Sequence, residues 1–302
     1  MKQREEGLAR YHEIIPDWEE FAAACSRPLP LTIRVNTLRT SPDDVYARLT
    51  GKGFALTPVA WSDELFVVET PRVSRTIEHW LGMFYIQEAV QTLPVYALDP
   101  QPGETILDIA AAPGGKCTHI ASRMQNRGAL IANEPVGKRQ PSLMANINRL
   151  GVLNATVTSY RGESFPMRTR FDRVLLDAPC SGEGTLCKES TLRDGATRAA
   201  IARLSRLQRR LILRAYDLLK PGGTLVYSTC TFAPEENEGT VSHLLAERDA
   251  LLEGLDLPFS AACGVTEWSG VEYPPDLSRC ARIYPHQIDS GGGFIARLRK
   301  PA

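Results

Sequence analysis

The chain has no excess charge of either sign: 35 Lys and Arg stand against 35 Asp and Glu, a net charge of zero. The overall balance gives no support for nucleic-acid binding, so any such binding must come from a local patch. No apolar run approaches the ~18 residues that span a bilayer. The opening residues, Met1-Lys2-Gln3-Arg4-Glu5-Glu6, are charged and lack the apolar stretch of a secretory signal. The 7 cysteines include no Cys-x-x-Cys pair, which argues against a zinc site. An odd cysteine count without a secretory signal predicts free thiols in a reducing, cytoplasmic setting. Internal repeats and low-complexity tracts are missing as well.

What is present is an ordinary globular composition, 43% hydrophobic and 23% charged, enough for a large and a small domain. Residues 1–78 read as a small α+β unit and 79–302 as a larger α/β domain. In the small unit, helical periodicity covers 7–25 and strand alternation covers 31–38. A helix follows from Pro42 to about Leu49, capped by Ser41, and short strands lie near 56–61 and 65–69. Residues 79–98 read as helix over much of their length. Strands at 105–109, 129–133, 155–159, 173–176, 223–228 and 294–298 then alternate with helices, the clearest at 138–150 and 199–219. Apolar strands joined by crossover helices predict a doubly wound, Rossmann-like α/β sheet.

Three segments carry chemistry. The run Leu107-Asp108-Ile109-Ala110-Ala111-Ala112-Pro113-Gly114-Gly115-Lys116 leads a strand through a glycine turn into a helix, where backbone approaches a ligand closely. It is neither a Gly-x-Gly-x-x-Gly fingerprint nor a P-loop. The next strand ends at Asn133-Glu134, placing a carboxylate where it can accept both ribose hydroxyls of a nucleoside. The other two segments hold cysteines: Asp177-Ala178-Pro179-Cys180-Ser181-Gly182, and Ser228-Thr229-Cys230-Thr231. Each follows an apolar run and sits at a strand's carboxyl end, where ligands bind in such sheets. A thiolate there is suited to add to an electrophilic carbon. Asp177 ends its strand three residues before Cys180 and faces the same crevice. Cys25, Cys117, Cys187, Cys263 and Cys280 read as small buried hydrophobes.

These segments resemble the Nol1/Nop2/Sun group of S-adenosylmethionine-dependent RNA cytosine-C5 methyltransferases, which includes the bacterial RsmB/RsmF-like enzymes. The likeness extends to Arg34-Val35-Asn36-Thr37-Leu38-Arg39, Gln87-Glu88-Ala89, Pro234-Glu235-Glu236-Asn237-Glu238 and Gly291-Gly292-Gly293-Phe294-Ile295-Ala296, and so covers nearly the whole chain. The resemblance implies that Cys230 adds to C6 of cytosine, that Asp177 holds the N3/N4 edge of the base, and that Cys180 assists loss of the C5 proton or release of Cys230. Lys116 is expected beside Asp177. Residues Ala110, Ala111, Ala112, Pro113, Gly114, Gly115 and Lys116 would cradle the methionine part of S-adenosyl-L-methionine, bordered by Asp177. Glu134 would take the ribose, and Arg139 would pack beside the nucleoside. Arg161 stands where family members commonly carry an aspartate for the adenine amino group.

The same likeness predicts an RNA partner, ribosomal RNA ahead of tRNA, for a monomer that works on a ribosomal subunit or assembly intermediate. Arg203, Arg206, Arg210 and Arg214 run beside the apolar stripe of the 199–219 helix. Arg34, Arg39, Arg72 and Arg75 in the small unit are further candidates for phosphate contacts. Two other readings remain at this point: a non-catalytic RNA-binding or ribosome-assembly factor that keeps the fold, and a methyltransferase acting on protein or uracil.

Overall fold

The computed structural model describes residues 7–185 and 195–302; Cys187 lies outside them. A 3-10 turn at Leu8–Tyr11 is followed by α1 (Trp18–Cys25), β1 (Thr32–Val35), α2 (Pro42–Thr50), β2 (Leu56–Pro58), β3 (Leu65–Val68), α3 (Ile77–Trp80) and β4 (Phe84–Ile86). These strands form an antiparallel sheet in the order β2-β3-β1-β4. Its core is Ile33, Val35, Val45, Leu49, Phe66 and Phe84, all buried. The α2 start is as expected: Pro42 occupies the first turn and Ser41 Oγ accepts the Asp44 N–H at 3.2 Å.

The second part contains α4 (Leu93–Leu98), β5 (Thr105–Asp108), α5 (Gly115–Arg123), β6 (Ala129–Asn133), α6 (Gln140–Leu150), β7 (Ala155–Thr158), β8 (Phe171–Asp177), α7 (Arg198–Asp217), β9 (Leu219–Thr229) and α8 (Glu238–Glu247). It continues through β10 (Leu251–Glu253), β11 (Ala262–Cys263), the ribbon β12 (Glu267–Trp268) and β13 (Val271–Glu272), β14 (Ala281–Ile283), α9 (Pro285–Ile288) and β15 (Gly293–Arg299). The main sheet runs β11-β14-β15-β9-β8-β5-β6-β7, with β10 also on β15. Strands β9, β8, β5, β6 and β7 are parallel, whereas β15 joins β9 antiparallel. The expected doubly wound sheet is present. Ile106, Leu107, Val174, Leu175, Leu225 and Val226 bury both faces of its centre, as parallel strands covered by helices require. From β5 the chain winds outward to β6 and β7, then returns to the other side for β8 and β9. That reversal opens a crevice beyond the carboxyl ends of β5 and β8.

Three expectations need correction. The helical pattern over 7–25 is broken, because Pro16 cannot donate to a helix and disfavours helical backbone at Ile15; Asp17 then takes a left-handed conformation before α1 begins. The 79–98 segment is not one helix. Gly82, at φ 71°, ends α3 against the backbone of Arg149, where any Cβ would come within 2.0 Å of a carbonyl oxygen, and the chain turns into β4. The division at 78/79 also differs from the packing. The small sheet takes β4 from beyond it, while Tyr11, Ile15 and Phe21 pack with Ile201, Phe232, Trp268 and Tyr284 of the larger part. Buried aromatic area, rather than chain order, assigns those first residues.

Candidate active site

Asp108 ends β5 and Asp177 ends β8, so both carboxylates meet at the reversal of strand order. With Ala110 to Pro113, Gly115, Lys116, Tyr85 and Gln91 they line a cleft of about 270 Å³. Asp108 is 1% exposed. Its Oδ1 accepts the Ala110 N–H at 3.4 Å, while its Oδ2 accepts no hydrogen bond among the described residues. Burial, and then the neighbouring Asp177, push its carboxyl up to about 7.

Asp177 is held from both sides. Lys116 Nζ donates to its Oδ2 at 2.8 Å, and Ser228 Oγ donates to its Oδ1 at 2.9 Å. The Lys116 ammonium also donates to Gln91 Oε1. Lys116 reaches this point from the first turn of α5, immediately after the glycine turn. Ser228 lies directly across from Asp177 in the β8–β9 register. The expected placement of Lys116 beside Asp177 is what the fold produces.

The two thiols are neighbours. Cys180 Sγ lies 3.3 Å from Cys230 Sγ, and the Cys230 N–H donates to Cys180 Sγ at 3.3 Å. Their acidities diverge. The hydrogen bond from Cys180, with the Lys116 charge adding to it, lowers the Cys230 thiol below its ordinary value. The same bond and burial raise Cys180 well above its own. Of the two, Cys230 is therefore the more readily deprotonated thiol.

Residues 95–299 match the family described as 16S rRNA methyltransferase RsmB/F, and residues 6–89 match the N-terminal domain of 16S rRNA methyltransferase RsmF. The chain belongs to the RsmB/F methyltransferase family. It is 43% identical over 298 residues to a tRNA (cytosine(49)-C(5))-methyltransferase of Pyrococcus abyssi, covering 97% of this chain and 96% of that protein. It is 42% identical over 306 residues to a ribosomal RNA small subunit methyltransferase F of Vibrio parahaemolyticus, covering 97% of this chain but spanning only 62% of that relative's length. Among solved structures, a methyltransferase homolog from Pyrococcus horikoshii superposes with a TM-score of 0.86 at 37% identity, covering 97% of this chain and 93% of the other. The structure of NSun6 from Pyrococcus horikoshii with SFG gives a TM-score of 0.86 at 25% identity, covering 99% and 98%.

S-adenosylmethionine is the methyl donor of this RsmB/F chain, and the cleft suits it. The donor brings a cationic sulfonium and an ammonium group. The cleft offers two carboxylates, and the Oδ2 of Asp108 is buried without a hydrogen-bond partner among the described residues. Glu134 supplies a second such atom: its Oε1 accepts the Val136 N–H at 2.8 Å, while Oε2 accepts no hydrogen bond among the described residues. That oxygen is ion-paired at 3.2 Å with Arg139, which also donates to the Ala112 carbonyl at 2.5 Å. Glu134 is 1% exposed and sits one strand over from the residues that line the cleft. Arg161 turns outward onto Glu163 at 2.7 Å.

Other expectations are overturned in this RsmB/F framework. Arg34 does not contact phosphate. It is 2% exposed, donates to Gln87 Oε1 at 2.9 Å, Thr118 Oγ1 at 3.0 Å and the Gly115 carbonyl at 3.2 Å, and so ties the small sheet to the glycine turn. A Cβ at Gly115 would come within 3.1 Å of the Tyr85 ring, and Gly114 takes φ 109° with Leu143 3.3 Å from where a Cβ would stand. Cys263 is exposed, on the edge strand β11 of the main sheet, and Cys25, at the end of α1, is only partly covered.

The main omission is the support beneath the Cys180 turn. Glu236 accepts the Ser181 N–H at 3.1 Å and Gln208 Nε2 at 2.6 Å; Gln208 also donates to the Pro179 carbonyl at 2.9 Å. Glu183 accepts Tyr11 Oη at 2.7 Å and Thr231 Oγ1 at 3.0 Å, joining the turns that carry the two cysteines. Burial pushes Glu236 up to about 7. The signal was available for Gln208: residues 201, 205, 208, 212 and 216 recur at helical spacing beside the apolar stripe, and all five are buried.

Proposed function

We propose that this chain methylates C5 of a cytosine in RNA through a covalent adduct of Cys230 to C6. The observation that carries the reading is the pair of thiols 3.3 Å apart, next to a Lys116–Asp177 pair at the end of the cofactor cleft. The bound donor supplies an electrophilic methyl group. Cys230 supplies the attacking electron pair, which makes C5 nucleophilic. Asp177, fixed by Lys116 and Ser228, is positioned to hold the N3/N4 edge of the base as charge builds on the ring. As the C5 proton passes to water, C5=C6 re-forms and the C6–S bond breaks, its electron pair returning to Cys230, while Cys180, 3.3 Å away, assists that step. Residues Ala110 to Gly115 hold the methionine part of the donor, and Glu134 Oε2 takes the ribose beside Arg139.

The RNA is read as ribosomal, because both matched family descriptions name 16S rRNA methyltransferases. A tRNA substrate is the second reading, favoured by the end-to-end match to the Pyrococcus abyssi enzyme. We place the protein in the cytoplasm as a monomer; among the described residues Cys117, Cys180, Cys230, Cys263 and Cys280 are free thiols, which suits a reducing compartment. Bisulfite sequencing of total RNA with and without the protein tests the reading. A new 5-methylcytosine in rRNA or in tRNA supports it and separates the two. No change in either, with purified protein also transferring no methyl to RNA, means a non-catalytic role.

A further inference from the structure

Away from the thiols, a groove of about 810 Å³ runs between the 3-10 turn Leu8–Tyr11 and the first half of α7. Arg10, Arg198, Arg206 and Arg209 line it, opposed by Glu13 and Glu235. This is the local basic patch that the neutral net charge concealed. The arginines differ in what they do. Arg10 is committed to the fold: it pairs with Glu235 and lies over the rings of Tyr11 and Trp268, at 5.1 Å and 5.4 Å. Arg206 and Arg209 are exposed, and among the described residues neither makes a hydrogen bond or ion pair. They are three residues apart on one helix face, so their guanidinium groups point into the same groove. By contrast, Arg214 donates to the Glu163 carbonyl at 3.4 Å on another side of α7.

The helix that presents these arginines also fixes the Cys180 turn. Gln208, between them in sequence, donates to the Pro179 carbonyl and to the Glu236 carboxylate. Ser205 Oγ donates to the Glu235 carbonyl at 2.8 Å. One rigid element therefore sets the distance between the groove and the reacting sulfurs. We propose that this groove binds the phosphodiester backbone of the substrate RNA, Arg206 and Arg209 each taking a phosphate so that the target cytosine is held in register with Cys230. The inference rests on the reading that RNA is the substrate. Guanidinium groups without carboxylate partners among the described residues, on a neutral protein, call for an anionic ligand, and their fork geometry suits phosphate oxygens.

The test is the double variant Arg206→Gln/Arg209→Gln, assayed for methyl transfer to 16S rRNA transcript and to bulk tRNA. A second double variant, Arg168→Gln/Arg170→Gln, removes the same charge from exposed positions at the loop entering β8. The groove variant should raise the KM for RNA roughly tenfold and flatten the dependence of log Kd on log salt by about 1.4, two phosphates at ~0.7 each for single strands. Its kcat at saturating RNA, melting temperature and S-adenosylmethionine affinity should match the parent. The control should change KM by less than about twofold and leave the salt slope in place. An RNA-methylating parent whose groove variant keeps the same KM and salt slope would overturn the groove alone. A parent that methylates and binds neither RNA overturns the functional reading and this inference with it. Displacement of bound RNA by poly-glutamate as readily as by poly(C) would show that the groove takes acidic protein instead.

Discussion

The crevice at the strand ends and the groove along α7 are both built from charged side chains, yet they solve opposite problems. In the crevice, Asp177 has a donor on each oxygen, and the turn that carries Cys180 is anchored through Glu236 and Gln208. In the groove, Arg206 and Arg209 have no such partner among the described residues. Satisfied polar groups fix geometry, which a nucleophile needs because small displacements are costly in rate. Unsatisfied, solvated charges add binding energy for an incoming ion without a rigid frame. Partner count, rather than charge count, separates the two regions.

That contrast is sharpest at the thiols, where the largest effects are expected. Cys230→Ala should abolish methyl transfer and covalent trapping by RNA containing 5-azacytidine, with calorimetry showing unchanged S-adenosylmethionine binding. Cys180→Ala should instead accumulate an enzyme–RNA band that survives denaturing gels, and the Cys180→Ala/Cys230→Ala double variant should show none. Full turnover by Cys230→Ala would reverse the assignment of roles.

The carboxylate beneath the Cys180 turn gives the next largest effect. Glu236 sits at about 7 in the folded protein against 4.5 for an ordinary glutamate. A raised carboxyl binds its proton more tightly when folded, so its contribution is fully present below about pH 4.5 and fades as pH rises through 7. At 1.36 kcal/mol per unit, the parent should lose on the order of 3 kcal/mol relative to Glu236→Gln across that window. Urea titrations at several pH values measure this. Parallel pH profiles for the two proteins would mean that Glu236 titrates normally.

Removing the support from the helix side is a smaller change. Gln208→Ala deletes donors to the Pro179 carbonyl and to a carboxylate, and should cost about 2 kcal/mol of stability, read as a fall in melting temperature. Arg209→Gln, one residue further along α7, should stay within about 0.5 kcal/mol. Equal losses from the two would erase the distinction between the buried and the solvated face.

The smallest effect is expected at the nucleoside end. Glu134→Ala should weaken S-adenosylmethionine binding about tenfold, the cost of one charge-assisted hydrogen bond, while Arg161→Ala should change it less than about twofold. A larger loss from Arg161→Ala would move the adenosine toward Glu163.

Much of the site was legible in the chain. Asp177, Cys180 and Cys230 sit in short segments whose apolar lead-in and turn residues place them at strand ends, and Lys116 follows the glycine turn by local geometry. Arg34 was misread, because its neighbours in sequence look like an exposed strand edge. Its partners, Gln87, Gly115 and Thr118, come from segments 53, 81 and 84 residues away. Gln208 was missed for the related reason that polarity on a helix reads as exposure until the facing elements are known.

The sequence by itself determined the alternation of strands and helices, the nucleotide-type turn after β5 and the two cysteines at carboxyl ends. Each of these depends on residues a few positions apart, where backbone sterics and hydrophobic period decide. Only the tertiary structure decided that the two sulfurs are neighbours, which arginines are spent on the fold and which face the groove, and that Tyr11, Ile15 and Phe21 pack with the larger part. Those outcomes depend on burial and on partners brought together across long stretches of chain, and burial is a property of the packed molecule.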